Sequence, residues 1–200
     1  MNKKQRIILV RHGETWSNRE GRILGSSDSP LTPEGIELAE KLACIIVDYG
    51  MEAVFSSSLG RALSSAEIYT GKTGCPIFPR SGMRELGCGL WEGRIRAEVA
   101  PDKNMIRTAW NDRPPGGESY SDGESRVGLF VSELKSFVDC DSVLVVGHAS
   151  VNRVFLKLWL GLTPEFAARI HTHHDMIYIL QDNEVSGVSI SLGRLDGLLV

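Results

Sequence analysis

The chain has 200 residues, of which 42% are hydrophobic and 24% charged. That composition excludes disordered, collagen-like and membrane classes, and the length suits one domain over 1–200 with no disulfide or metal staple. Its 22 Lys and Arg against 25 Asp and Glu give a formal net charge of −3, so neither nucleic acid nor an acidic membrane is an expected partner, and any anion must be caught by a local cluster.

The first apolar run, Ile7-Ile8-Leu9-Val10, is too short for a signal sequence or a membrane span. Arg6 to Val10 instead reads as a strand buried on both faces. Leu31-Thr32-Pro33-Glu34 has the pattern of a helix start, and apolar positions at helical spacing run from Ile36 to Val47 before Gly50. Ala53-Val54-Phe55 is a second strand, Leu59 to Tyr69 a second helix, and Pro76-Ile77-Phe78 a short third strand. Residues 86–118 are rich in Gly, Pro and Trp and read as an irregular insertion over one edge of the molecule. Helix returns over Ser119–Val138, with Val127, Phe130, Val131, Leu134 and Val138 facing inward. Ser142–Val146 is the most apolar strand, followed by helix Val151–Leu160, and strands Met176–Leu180 and Val185–Leu192 form a hairpin through Asp182-Asn183. This order predicts an α/β sandwich around a mostly parallel sheet with helices on both faces. The four cysteines, Cys44, Cys75, Cys88 and Cys140, have no CxxC spacing, which predicts packed thiols in a reducing cytoplasm.

Ligands of open α/β sheets bind beyond the carboxyl ends of strands. Three clusters fall there: Arg11-His12-Gly13, Ser56-Ser57-Ser58-Leu59-Gly60-Arg61 and Gly147-His148-Ala149. Two converging arginines suit a doubly charged oxyanion, because guanidinium forks match phosphate oxygens. A histidine between them is kept neutral by the surrounding charge and is then a nucleophile. The leaving alkoxide needs a proton donor, which Glu85 could supply, although a surface carboxylate paired with Arg84 explains that residue equally well.

Leu9-Val10-Arg11-His12-Gly13-Glu14-Thr15, with Asn18 after it, resembles the signature of the histidine phosphatase superfamily, also called phosphoglycerate-mutase-like. The likeness continues through Ser57-Ser58-Leu59-Gly60-Arg61-Ala62, Arg84-Glu85-Leu86-Gly87 and Val145-Val146-Gly147-His148, in family order. The resemblance implies a three-layer sandwich and a phosphatase acting on a small-molecule phosphate ester. It implies His12 as the phosphorylated nucleophile, with Arg11, Arg61 and His148 gripping phosphoryl oxygens and Asn18 ordering the phosphate or the His12 loop. Glu85 would be general acid and then general base. No metal or organic cofactor is implied, and a homodimer is the commonest assembly for such enzymes. Ala149 stands where the family usually has Gly, at a backbone position facing the phosphate, which predicts altered packing or a narrower pocket.

A cofactor-dependent phosphoglycerate mutase is the main alternative. Mutases resemble this chain at His12 but carry a longer insertion with adjacent arginines, and a Thr-Gly where this chain has Leu24. Residues 94–114 are short and lack paired arginines, which favours a phosphatase. A non-catalytic phospho-ligand binder is a weaker alternative, because all five positions Arg11, His12, Arg61, Glu85 and His148 are present. His171, His173, His174 and Asp175 form the one metal-like cluster, yet strand alternation puts His171 and His173 on one face and His174 on the other. They are expected to form a polar rim, with His173 or His174 adding substrate selectivity. Trp91, Met105 and Trp110 either form an apolar lid or cap the core.

Overall fold

The computed structural model describes residues 5–71, 73–100, 106–137, 140–182 and 184–200. Its strands are β1 (Arg6–Arg11), β2 (Ala53–Ser57), β3 (Ile77–Arg80), β4 (Ser142–Gly147), β5 (Met176–Gln181), β6 (Glu184–Ser189) and β7 (Gly193–Leu195). The helices are α1 (Trp16–Arg19), α2 (Pro33–Ile46), α3 (Gly60–Thr70), α4 (Arg96–Val99), α5 (Tyr120–Ser136), α6 (Ala149–Leu160) and α7 (Pro164–Arg169). The strands form one sheet in the order β3-β2-β4-β1-β5-β6-β7. β3, β2, β4 and β1 run parallel, as the alternating strand and helix pattern predicts. β5, β6 and β7 continue as an antiparallel meander, so the sheet is mixed.

Period-two alternation divides the apolar strands between two cores. Ile7, Leu9, Phe55, Val143 and Val145 pack with residues of α5, α6 and α7, while Ile8, Val10, Val54, Leu144 and Val146 pack with α2 and α3. The sheet is therefore the middle of three layers, with each fully buried Val, Leu or Ile contributing about 1.5–3 kcal/mol. α2 starts as its sequence requires: Thr32 Oγ1 accepts from Gly35 N at 3.0 Å and Pro33 stands in the first turn. α5 opens with a capping box between Ser119 and Asp122. Gly147 closes β4 because any side chain there would collide with Asn152 Oδ1, whose amide Nδ2 donates to Val10 O at 2.9 Å.

One open alternative is decided and two expectations change. Trp110 is buried and stacks on Tyr120 at 4.8 Å inside the α5/α6 core, so it caps the core and forms no lid. α6 begins two residues earlier than its apolar pattern suggests, at Ala149. β6 ends at Ser189 because Asp175 binds the hydroxyls of Ser189 and Ser191 and turns the chain there. Met105, Val138 and Asn183 lie outside the described residues. Among the described residues no helix is long and apolar enough to cross a membrane, and the four cysteines form no disulfide.

Candidate active site

The carboxyl ends of β1, β4 and β2 lie side by side, since Arg11 pairs with Gly147 and Ser56 with Val146. The three clusters leaving those ends therefore meet. A cavity of ≈ 700 Å³ opens over them, with Arg11, His12, Asn18, Arg61, Glu85 and Ala149 in its wall. His148 is fully buried beside His12, their ring centroids 4.9 Å apart.

The His12 tautomer follows from one contact. Nδ1 lies 2.7 Å from Gly13 O; a carbonyl only accepts, so Nδ1 carries the proton and Nε2 presents a lone pair. Arg61 Nε donates to that Nε2 at 3.3 Å. The Arg61 guanidinium is buried and fixed from behind, donating through NH1 to Ser27 O at 2.6 Å and Asp28 Oδ1 at 3.2 Å, and through NH2 to Gly25 O at 3.0 Å. Asp28 also accepts from the Gly60 and Arg61 N–H groups at the start of α3. It thus caps the helix and aims its arginine. Arg11 donates to Thr172 O at 3.3 Å, while its buried Nε has no partner among the described residues.

His148 Nε2 lies 2.7 Å from Ser57 Oγ. That hydroxyl also accepts from Leu59 N. His148 Nδ1 is buried and has no partner among the described residues. Asn18 Oδ1 accepts from Thr15 N at 3.2 Å in the capping box of α1, so the box itself delivers Asn18 to the cavity. Glu85 makes no ion pair with Arg84; its carboxylate accepts from Leu86 N, Val151 N and Ser150 N at 2.9–3.1 Å, the last two at the start of α6. Ala149 has ordinary right-handed backbone at the start of α6, and position 149 therefore needs no glycine.

Three imidazoles are held neutral. Burial, then the neighbouring His148, His174, Arg11 and Arg61, pushes His12 well below its ordinary 6.5. Burial followed by Arg61 and Arg11 does the same to His148. His174, expected at the rim, is turned inward, and its Nδ1 donates to His12 O at 2.6 Å; burial and Arg11 lower it to about 3. His171 and His173 do line the cavity, stacked 5.1 Å apart. Because the folded values are depressed, only the unfolded chain takes up protons just below pH 6.5. Stability is therefore fully present above pH 6.5 and falls as the pH drops below it. Melting temperature measured from pH 7 to pH 5 is expected to decline, with less decline in His174→Gln; a flat profile would refute the buried neutral state.

Sequence reading missed the breadth of basic character. Five further arginines line the cavity, Arg22, Arg96, Arg107, Arg153 and Arg169; Arg96 and Arg107 come from the 94–114 segment, which has no adjacent arginines. Arg107 is 1% exposed and donates to Glu118 O at 2.6 Å and Gly87 O at 2.9 Å. Among the described residues no three His, Cys, Asp or Glu side chains are grouped to hold a metal ion.

The family model of the histidine phosphatase superfamily, branch 1, matches residues 7–190. The chain belongs to that superfamily. It is 36% identical over 168 residues to the protein named "Probable phosphoglycerate mutase GpmB" of Escherichia coli strain K12 / DH10B, covering 82% of this chain and 78% of the relative. The solved structure of Bacillus stearothermophilus YhfR is similar at 26% identity and a TM-score of 0.76, covering 98% of this chain and 95% of the other. Mycobacterial glucosyl-3-phosphoglycerate phosphatase has a TM-score of 0.77 at 23% identity, covering 92% and 91%, a likeness of fold alone. The relatives and neighbours thus carry the names of both phosphoglycerate mutases and phosphatases, and the fold is the phosphoglycerate-mutase-like α/β sandwich.

Proposed function

We propose that this protein is a phosphatase that hydrolyses a small-molecule phosphomonoester through a phosphohistidine on His12. The observation that carries this reading is the His12 tautomer: Nδ1–H is committed to Gly13 O, so Nε2 carries the lone pair at the cavity wall, where Arg61 Nε holds it until a phosphoryl group takes that donor. Nε2 attacks phosphorus, the ester P–O bond breaks, and protonated Glu85 gives its proton to the leaving alkoxide. The carboxylate then takes a proton from water as that water attacks phosphorus, the P–N bond breaks, and inorganic phosphate leaves with His12 neutral again. Arg11, Arg61 and His148 hold the equatorial oxygens, and Asn18 orders the loop. These fixed donors supply the charge stabilisation a metal gives elsewhere, so the reading is metal-independent. It places a diffusible ester in the site and the enzyme in the cytoplasm.

A mutase reading has a specific support of its own, the basic cavity together with the 36% identical relative named a phosphoglycerate mutase. Rapid quench with ³²P-labelled substrate tests both. Acid-labile, base-stable label on wild type and none on His12→Ala supports the histidine intermediate, and its absence from wild type overturns it. Free phosphate as the product identifies a phosphatase; an isomeric phosphoglycerate identifies a mutase.

A further inference from the structure

The backbone of His12 is held by a side chain from the far end of the sequence. His12 follows the last residue of β1, and the ladder from β1 to β5 ends at the pair Val10–Ile177. Among the described residues no backbone N–H donates to the His12 carbonyl. Its donor is His174 Nδ1, 2.6 Å away and 162 positions further along the chain; a carbonyl only accepts, so Nδ1 of His174 carries the proton. At the other edge of the same peptide, Gly13 N donates to Ser65 Oγ at 2.9 Å. The peptide between His12 and Gly13 is therefore gripped on both edges.

The grip bears on the reacting ring through the next peptide. Position 13 requires glycine, since a Cβ there would stand 2.9 Å from Gly35 O, and glycine leaves the backbone free to rotate. Gly13 O is the group that fixes the His12 imidazole, accepting from Nδ1 at 2.7 Å. Rotation at Gly13 would swing that carbonyl away and release the ring. Clamping the preceding peptide removes this freedom.

His174 is itself firmly seated. On one side Arg11 donates to Thr172 O, and Thr172 Oγ1 donates to Ala149 O, both at 3.3 Å. On the other, Asp175 accepts from the hydroxyls of Ser189 and Ser191. The His174 ring meets the His12 ring edge-on, with centroids 5.3 Å apart, and burial with Arg11 nearby keeps it uncharged. His171, Thr172 and His173 line the cavity, whereas His174 is not in its wall. It touches the nucleophile and leaves the substrate to its neighbours.

We propose that His174 is a positioning residue, whose Nδ1–H clamps the His12–Gly13 peptide and so holds the His12 ring in line for attack. The proposal rests on His12 being the nucleophile.

His174→Leu and His174→Phe remove the donor, the second while keeping a ring against His12. His174→Asn puts an amide N–H back at the Nδ1 position. With p-nitrophenyl phosphate, the saturating rate of nitrophenol release in the first turnover is expected to fall about 10- to 10²-fold in both donorless variants, with half-saturation within about twofold of wild type. His174→Asn is expected to recover to within about threefold of wild type. Hydrogen exchange followed by NMR reads the clamp without turnover. The Gly13 amide should exchange at least about tenfold faster in the donorless variants, while the Val145 and Ile179 amides of β4 and β5 keep their protection. A merely structural loss would speed all three together. A first-turnover rate within about threefold of wild type in both donorless variants, a change confined to half-saturation, or no recovery in His174→Asn overturns the positioning role. The two readings fail separately. If wild type traps no phosphohistidine, the nucleophile falls and the exchange comparison still decides the clamp. If Gly13 protection is unchanged in both donorless variants, the clamp is overturned even where a phosphohistidine forms.

Discussion

Glu85→Gln is expected to lower kcat for an alkyl phosphate by about 10²–10⁴, the range for a lost general acid or base. The effect on p-nitrophenyl phosphate should differ in kind. A nitrophenolate leaves without being protonated, so phosphorylation of His12 survives, while hydrolysis of the phosphoenzyme still needs Glu85 to activate water. The variant should therefore release about one equivalent of nitrophenol per site in a burst and then turn over slowly. Stopped-flow absorbance reads the burst directly. Loss of the fast phase together with the slow one would show that Glu85 only shapes the pocket. The carboxylate accepts three backbone N–H groups around the start of α6, and glutamine cannot accept all three through one oxygen. A destabilisation of about 1–3 kcal/mol is expected from the group left unpaired, so the melting temperature of the variant is measured alongside.

The chemistry was legible where strand geometry alone determines position. Three parallel strands end together, and so Arg11-His12, Gly147-His148 and Ser57 through Arg61 had to converge whatever the rest of the chain does. Residues outside the sheet that line the cavity or hold its arginines were not legible. Asp28 and Arg107 sit in segments without periodicity, and their roles depend on where carbonyls such as Gly25, Gly87 and Glu118 happen to point. Residues 86–118 resisted assignment because side chains replace secondary structure there: Glu92 accepts from Ser26, Ser27 and Cys88 N–H groups, and Glu118 from Gly87 N. Arg153 was hidden differently. It lies on a helix that reads as apolar, and only the packing of α6 against Tyr120 turns it to the cavity. One signal was present and unread. Thr163-Pro164-Glu165 repeats the Thr32-Pro33-Glu34 pattern that opens α2, and it opens α7 in the same way, with Thr163 Oγ1 accepting from Phe166 N.

Arg61→Lys is expected to reduce kcat/KM by about 10²–10³, close to the loss of a transition-state donor outright, although the charge is kept. The reason lies in how the guanidinium is used. Three of its four terminal N–H groups go to Ser27 O, Asp28 and Gly25 O, and only the orientation so produced brings Nε to 3.3 Å from His12 Nε2. An ammonium can satisfy those carbonyls or face the phosphoryl group, and its single nitrogen cannot do both. Asp28→Asn separates aim from charge: the amide oxygen still accepts from one α3 N–H, but Arg61 loses its counter-ion and one anchor. About a tenfold fall in kcat with little change in KM is expected there, since a tilted guanidinium weakens the transition state more than the ground state. Steady-state kinetics on one ester across wild type, Arg61→Lys and Asp28→Asn orders the three. Activity of Arg61→Lys within a few-fold of wild type would mean that the site needs only a positive charge near His12 Nε2. A phosphoryl transfer whose barrier depends on in-line positioning should not tolerate that exchange.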